Sequence, residues 1–193
     1  QVFHTEEVGG VDADFMLNRY PFGNGHSLLI WDREGPVHNQ FLDPKVDGHL
    51  IDGAWDHVTS GTYGEGIRLG YNSSGAHASV NHLHLQQVFL TDDWELPIET
   101  DIRTHNGASG ELNCHFPGAK WVSKSTGAAG LKSLIQEVND RVASGEEIAY
   151  NFYMTPEGTV FFPRNPQGDQ AYHSEMSAAN WTTGVGVLEL AGE

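Results

Sequence analysis

Tyr71-Asn72-Ser73-Ser74-Gly75-Ala76-His77-Ala78-Ser79-Val80-Asn81-His82-Leu83-His84-Leu85-Gln86-Gln87-Val88-Phe89-Leu90 is the stretch from which the rest of the chain can be read. Its centre, 82–86, alternates polar and apolar residues with a period of two. That is the pattern of a half-buried strand, predicted here over 78–90. On such a strand His82, His84 and Gln86 share one face, roughly 7 Å from one to the next. Leu83 and Leu85 turn to a core behind it. Just upstream, the small residues 72–76 form a loop able to bring backbone N–H groups up to an anion. An anion cradle feeding a strand of histidines points to chemistry on phosphate.

Three readings of that face compete. Histidines two apart on a strand can chelate zinc, iron or copper. A cupin-like barrel would follow such a pair with a glutamate, but 87–90 are Gln, Val, Phe and Leu, and the first acidic residue is Asp92. Cys114 and His115 would have to complete the set, and their spacing carries no signature. The second reading is structural: polar strand residues with no chemistry. The third is nucleophilic catalysis at phosphorus. A neutral imidazole, with an ordinary pKa of about 6.5, is a good nucleophile near pH 7. It can attack a nucleotide's α-phosphate and form a phosphoramidate. The third reading is preferred, with no metal and no other cofactor expected.

Bulk properties narrow the partners. The 193 residues suit one domain, and 38% hydrophobic residues supply a core. Ten Lys and Arg against 26 Asp and Glu give a net charge of −16. A surface this acidic argues against nucleic acid and against an anionic membrane as partners. No apolar run approaches the length of a membrane-spanning helix. The single cysteine, Cys114, rules out an internal disulfide and fits a reducing, cytoplasmic setting. The chain opens on Gln1 rather than Met, so a fragment or short form is expected.

Along the chain, 14–20 and 26–31 read as a hairpin around Pro21-Phe22-Gly23-Asn24-Gly25. Residues 32–46 read as a loop. Leu50, Ile51, Ala54, Trp55 and Val58 fall at helical spacing and predict a helix over 48–59. A short strand covers 67–71. Leu131, Leu134, Ile135, Val138 and Val142 make an apolar stripe on a helix over 128–143. Strands at 148–154 and 159–162 flank Pro156-Glu157-Gly158 as a second hairpin. A short helix at 174–181 and a strand at 184–190 complete the reading, while 92–125 shows no clear pattern. The tally is about seven strands and two or three helices. It predicts an α+β fold with an antiparallel sheet and helices packed on it. Residues 1–193 are taken as one domain, with a core at 10–90 that carries the histidine strand and a second part at 91–193.

The segment from Asn72 to Gln86 resembles the histidine-triad superfamily in its transferase branch. Gln86 stands where the triad hydrolases carry a third histidine, as in the galactose-1-phosphate uridylyltransferases and the GDP-hexose phosphorylases. Similarity to the GDP-L-galactose and GDP-D-glucose phosphorylases extends over Arg68-Leu69-Gly70-Tyr71-Asn72-Ser73 and Pro97-Ile98-Glu99. It also takes in Gly25-His26-Ser27-Leu28-Leu29-Ile30 and the hairpin from Ala149 to Pro163. The resemblance implies a histidine-triad-like fold, a possible homodimer, and nucleotidyl transfer from a nucleoside diphosphate hexose through a covalent nucleotidyl-histidine. Nucleotide sugar and phosphate are then the partners. By the same resemblance His84 is the nucleophile, and His82 positions phosphate or fixes its neighbour's tautomer. Gln86 donates a hydrogen bond to the nucleotidyl phosphate, and Asn72, Ser73, Ser74 and Ser79 contact phosphate. The chemistry of Gln86 agrees, because an amide cannot change protonation state, which suits transfer to a phosphate acceptor. The alternatives are a dinucleoside polyphosphate phosphorylase, a hexose-1-phosphate uridylyltransferase, or a non-catalytic nucleotide- or metal-binding module. Arg19, Arg68 and Arg164 are the cations nearest to recognisable elements. His26 reads as structural, and the scattered His4, His38, His49, His57, His105, His115 and His173 as mostly exposed. Trp55 and Trp181 read as core and Cys114 as inert.

Overall fold

Val8 and Val11 face each other across the two-residue turn Gly9-Gly10, whose φ values of 66° and 79° suit glycine. The turn pairs strand β1, Val2–Val8, with β2, Val11–Leu17. The computed structural model describes residues 1–166 apart from 22, 24, 36–38, 77, 79, 92–95, 106, 107 and 115. The other elements in chain order are β3 Ser27–Trp31, α1 Gly48–Thr59, β4 Ile67–Asn72, β5 His84–Phe89 and α2 Pro97–Thr104. Then come β6 Gly110–Glu111, β7 Lys120–Ser123, α3 Ala128–Ala143, β8 Ala149–Thr155 and β9 Gly158–Arg164. Among the described residues the nine strands make one antiparallel sheet, ordered β1-β2-β3-β5-β4-β8-β9-β7-β6.

Cross-strand partners share a face, so the register sorts the side chains into two layers. One face carries Leu29, Leu69, Tyr71, Leu85, Phe152 and Phe161. It packs under Leu50, Ile51, Ala54, Trp55 and Val58 of α1 and Leu131, Ile135 and Val138 of α3. The opposite face carries Val88, Tyr153, Val160 and Phe162 beneath Ile98 and Ile102 of α2. Arg68 is in register with Val88, and its guanidinium pairs with Glu99 of α2. Tyr153 donates its hydroxyl to the same carboxylate at 3.1 Å. This buried triad fastens α2 to the sheet.

Both helices predicted from apolar spacing form with the predicted bounds. Both predicted hairpins pair as antiparallel neighbours. Val142 alone leaves its stripe, at 42% exposure, in the last turn of the helix. The first hairpin strand lies three residues earlier than expected, at 11–17. β1 escaped the sequence reading because Thr5, Glu6 and Glu7 hide its strand character on an exposed edge. α2 and β7 lie in the unread stretch 92–125. α2 is short and opens on Pro97, leaving too few turns for a periodic signal. The predicted helix at 174–181, the strand at 184–190 and Trp181 lie outside the described residues. No helix among the described residues is long and apolar enough to cross a membrane.

α1 meets the first hairpin backbone to backbone. A Cβ added at Gly53 would sit 2.2 Å from the nitrogen of Gly9 and 2.5 Å from its Cα. No rotamer relieves a collision with main chain, so Gly53→Ala has to lift the helix off the turn. The expected cost is about 2–3 kcal/mol. For a chain of this size that lowers the melting temperature by roughly 4–12 °C. A thermal melt unchanged from the parent would show that the helix does not seat on the turn.

Candidate active site

β5 opens on His84, flanked by β3 on one side, where Ile30 is its partner. Gln86 pairs with Leu28 of β3 and with Gly70 of β4. Side-chain alternation therefore puts His84 and Gln86 on the face that α2 covers in part, together with Gly70 and Asn72 of β4. Asn72 is in register with Asn151 of β8. The result is a polar row across three strands on an otherwise apolar sheet.

The predicted strand over 78–90 is shorter than expected, and His82 lies outside it, in the approach to β5. The reason is that this segment's polar groups bind elsewhere. The His82 ring nitrogen Nε2 reaches the carbonyl oxygen of Trp31 at 3.1 Å, and the side chain of Asn81 accepts from the backbone N–H of Gln40 at 3.0 Å. His82 therefore does not stand in strand register with His84. It bears on His84 through its main chain. The His84 ring donates Nδ1–H to the His82 carbonyl at 2.8 Å. With the proton held at Nδ1, the Nε2 lone pair is free to react. His84 is 7% exposed, and burial pushes its pKa below the ordinary value, keeping the ring neutral.

Gln86 has a partner that the sequence did not disclose. His26 Nε2 lies 3.1 Å from Gln86 Oε1 and 3.1 Å from Asn18 Nδ2. In the Nε2–H tautomer the ring donates to Gln86 and leaves the glutamine's NH₂ for another acceptor. In the Nδ1–H tautomer it accepts from Asn18. Burial pushes the His26 pKa down to about 4, so the neutral ring persists through mild acid. His26, read as structural, is buried against Gln86 and constrains the orientation of its amide.

Asn72 is buried and accepts from Asn151 Nδ2 at 2.6 Å. Asn151 Oδ1 in turn accepts from Arg164 Nη1 at 3.0 Å, which brings a guanidinium to the end of the polar row. Ser73 and Ser74 hold the loop. The N–H of Tyr150 donates to Ser73 Oγ at 3.0 Å, and Ser74 Oγ donates to the Gln40 carbonyl at 3.1 Å. His77 and Ser79 lie outside the described residues, as do His38, His115 and His173. Arg68, expected as a phosphate candidate, is committed to Glu99. Arg19 is exposed, with its guanidinium 5.4 Å from the ring of Tyr20. His57, expected at the surface, is buried behind β5, with Nε2 3.0 Å from Gln87 Oε1 and Nδ1 3.3 Å from Glu6. Among the described residues no cluster of three or more His, Cys, Asp or Glu is placed to hold a metal ion.

These histidines give the fold a pH dependence. His26, His57 and His84 all have folded pKa values depressed below 6.5, chiefly by burial. The unfolded chain then binds protons that the native state refuses, so stability rises with pH across this window. The contribution is complete above about pH 6.5 and drains away as the pH falls towards 4. For His26 alone the loss is about 3 kcal/mol. Urea midpoints measured between pH 7 and pH 4 should fall steadily, and less steeply in His26→Gln. Equal slopes in the two proteins would contradict the assignment.

No protein-family model matches the chain. Over 93 residues, 47% of this chain and 23% of the relative, it is 33% identical to GDP-D-glucose phosphorylase 1 of Xenopus laevis. Its structure superposes on yeast Ap4A phosphorylase Apa2 in complex with AMP with a TM-score of 0.57 at 17% identity. That match covers 83% of this chain and 62% of the yeast protein. A second crystal structure of yeast Ap4A phosphorylase Apa2 gives a TM-score of 0.53 at 18% identity, covering 81% and 57% of the two chains. The chain thus spans less than two thirds of each of these proteins. Its α+β fold is that of the yeast Ap4A phosphorylase, and over part of its length its sequence is similar to a GDP-D-glucose phosphorylase.

Proposed function

We propose that the chain is the histidine-triad-like domain of a cytoplasmic nucleotidyltransferase, a phosphorylase acting on a nucleoside diphosphate hexose of the GDP-hexose type. The observation that carries this reading is the Nδ1–H of His84 held on the His82 carbonyl, which reserves Nε2 of a neutral imidazole for attack. In the first step Nε2 forms a bond to the α-phosphorus. The bond from phosphorus to the bridging oxygen breaks, and its electron pair leaves on the hexose phosphate. Nε2 carries no proton to lose, and the positive charge on the ring is met by the His82 carbonyl through Nδ1–H. In the second step an oxygen of inorganic phosphate attacks the same phosphorus. The N–P bond breaks, the lone pair returns to Nε2, and the nucleoside diphosphate departs.

Gln86, oriented by His26, donates its NH₂ to a non-bridging oxygen as charge gathers there. Asn72 and the loop residues Ser73, Ser74 and Ser79 are the proposed neighbours of the nucleotidyl phosphate. Arg164, at the far end of the row, faces the departing hexose phosphate in this scheme.

The sequence similarity to a GDP-D-glucose phosphorylase supports the diphosphate hexose over a dinucleoside tetraphosphate. All ten Lys and Arg fall among the described residues. Of those on sheet strands, Arg68 and Arg164 share the face of His84, and Arg68 is neutralised by Glu99.

The test is intact-mass spectrometry after exposure to GDP-glucose, UDP-glucose or Ap4A without inorganic phosphate. The expected result is an acid-labile guanylyl adduct with GDP-glucose, discharged as GDP when phosphate is added. Preferential labelling by Ap4A would transfer the reading to a dinucleoside polyphosphate phosphorylase. No adduct with any of the three would sink covalent nucleotidyl transfer.

A further inference from the structure

The β4–β5 ladder forks beside the nucleophile. The two strands pair from Ile67↔Phe89 as far as Gly70↔Gln86. Continued in that register, the ladder would pair Tyr71 with Leu85 and then Asn72 with His84. Instead β4 keeps company with β8 at Asn72↔Asn151, and β5 keeps company with β3 at Ile30↔His84. The side chain of Gln40 occupies the fork. Its Oε1 accepts from the backbone N–H of His84 at 2.9 Å, and its NH₂ donates to the carbonyls of His84 at 3.1 Å and Asn72 at 2.9 Å. One primary amide thereby replaces a rung of the sheet.

The backbone of Gln40 binds both segments that lead into the fork. Its N–H donates to Asn81 Oδ1 at 3.0 Å, and its carbonyl accepts from Ser74 Oγ at 3.1 Å. Gln40 is 0% exposed. Burying a primary amide is unfavourable unless its donors and acceptor are matched, and here they are matched by the main chain of two site residues. An amide inserted between two strands widens their separation by about 5 Å, close to one further strand spacing.

We infer that Gln40 is a positioning residue for nucleotidyl transfer, a wedge that holds His84 and Asn72 apart so that the reacting phosphoryl group enters between them. The inference rests on the reading of His84 as the nucleophile. Gln40 touches neither substrate nor the reacting nitrogen. It acts through the main chain of His84, whose placement sets the line of attack. Misplacing a reacting group by about 1 Å can lower a rate by about 10²-fold.

The test compares Gln40→Met, which keeps length and bulk but makes none of the three bonds, with Gly53→Ala, which weakens the fold far from the fork. Both are measured at a temperature where circular dichroism shows them folded. The expected result is a fall of about 10²-fold in the labelling rate of Gln40→Met by GDP-glucose, with GDP affinity within a few-fold of the parent, while Gly53→Ala labels at the parent rate. A folded Gln40→Met that labels at the parent rate would overturn the inference, as would equal slowing of both variants. The His84 ring Cε1–H resonance gives a second reading that needs no activity. It should move in Gln40→Met and stay in place in Gly53→Ala. If the parent itself takes no label, the proposed reaction fails; a moved His84 resonance then still supports the wedge, and an unmoved one removes it too.

Discussion

His84→Asn leaves a folded protein that forms no nucleotidyl adduct. The argument begins with shape. An asparagine Nδ2 occupies nearly the position of the histidine Nδ1, so it can donate to the His82 carbonyl in place of the bond seen at 2.8 Å. The rungs to β3 and the contacts with Gln40 are made by main chain and do not depend on the ring. What asparagine lacks is a second nitrogen with a lone pair at the far edge of the ring. Without it no N–P bond forms, and turnover through the covalent route stops. Removing a nucleophile from a catalytic group that acts as a unit costs on the order of 10⁴-fold or more. Intact-mass spectrometry with GDP-glucose reads the adduct, and release of GDP in the presence of phosphate reads turnover. Full adduct and full turnover in His84→Asn would place the nucleophile elsewhere.

Glu99→Leu should be the most destabilising of the substitutions considered. Glu99 and Arg68 each retain only 11% side-chain exposure, and Tyr153 shares the carboxylate. Removing the carboxylate strands a guanidinium between α2 and β4 and takes away the acceptor of a buried hydroxyl. Breaking one side of such a pair costs about 3–5 kcal/mol. That corresponds to a fall in melting temperature of roughly 6–20 °C for a chain of this length. Glu99→Gln keeps an acceptor for Tyr153 and should lose less. The double variant Arg68→Met with Glu99→Leu removes both charges and should recover most of the loss, since apolar replacement of a whole buried pair is often neutral. Thermal melts of the four proteins test this together. A Glu99→Leu melt within 2 °C of the parent would mean that the pair does not hold α2 in place.

The pair also explains why Arg68 misleads as a sequence feature. It stands just before the small-residue loop at 72–76, and the net charge of −16 makes any cation there look functional. Its partner is 31 residues away on a helix in a stretch without readable periodicity. Arg164, by contrast, is led to the polar row by Asn151, which no local pattern marks as a site residue.

Local patterns were sufficient for what depends on a single segment. The alternation at 82–86 committed Leu83 and Leu85 to the core behind β5 and put His84 and Gln86 on a common face, because side-chain direction in a strand depends only on position along it. Helical spacing placed α1 and α3 for the same reason. Tertiary structure alone decided which proton His84 keeps, what turns Gln86, and why β5 starts at His84. Those outcomes rest on the His82 carbonyl bent back to the ring, on His26 sixty residues from Gln86, and on Gln40 forty-four residues from His84. The first is a local bend of the chain that strand alternation does not foretell; hydrogen bonds between residues as far apart as the other two pairs leave no period in the sequence, and only the folded chain brings them within reach.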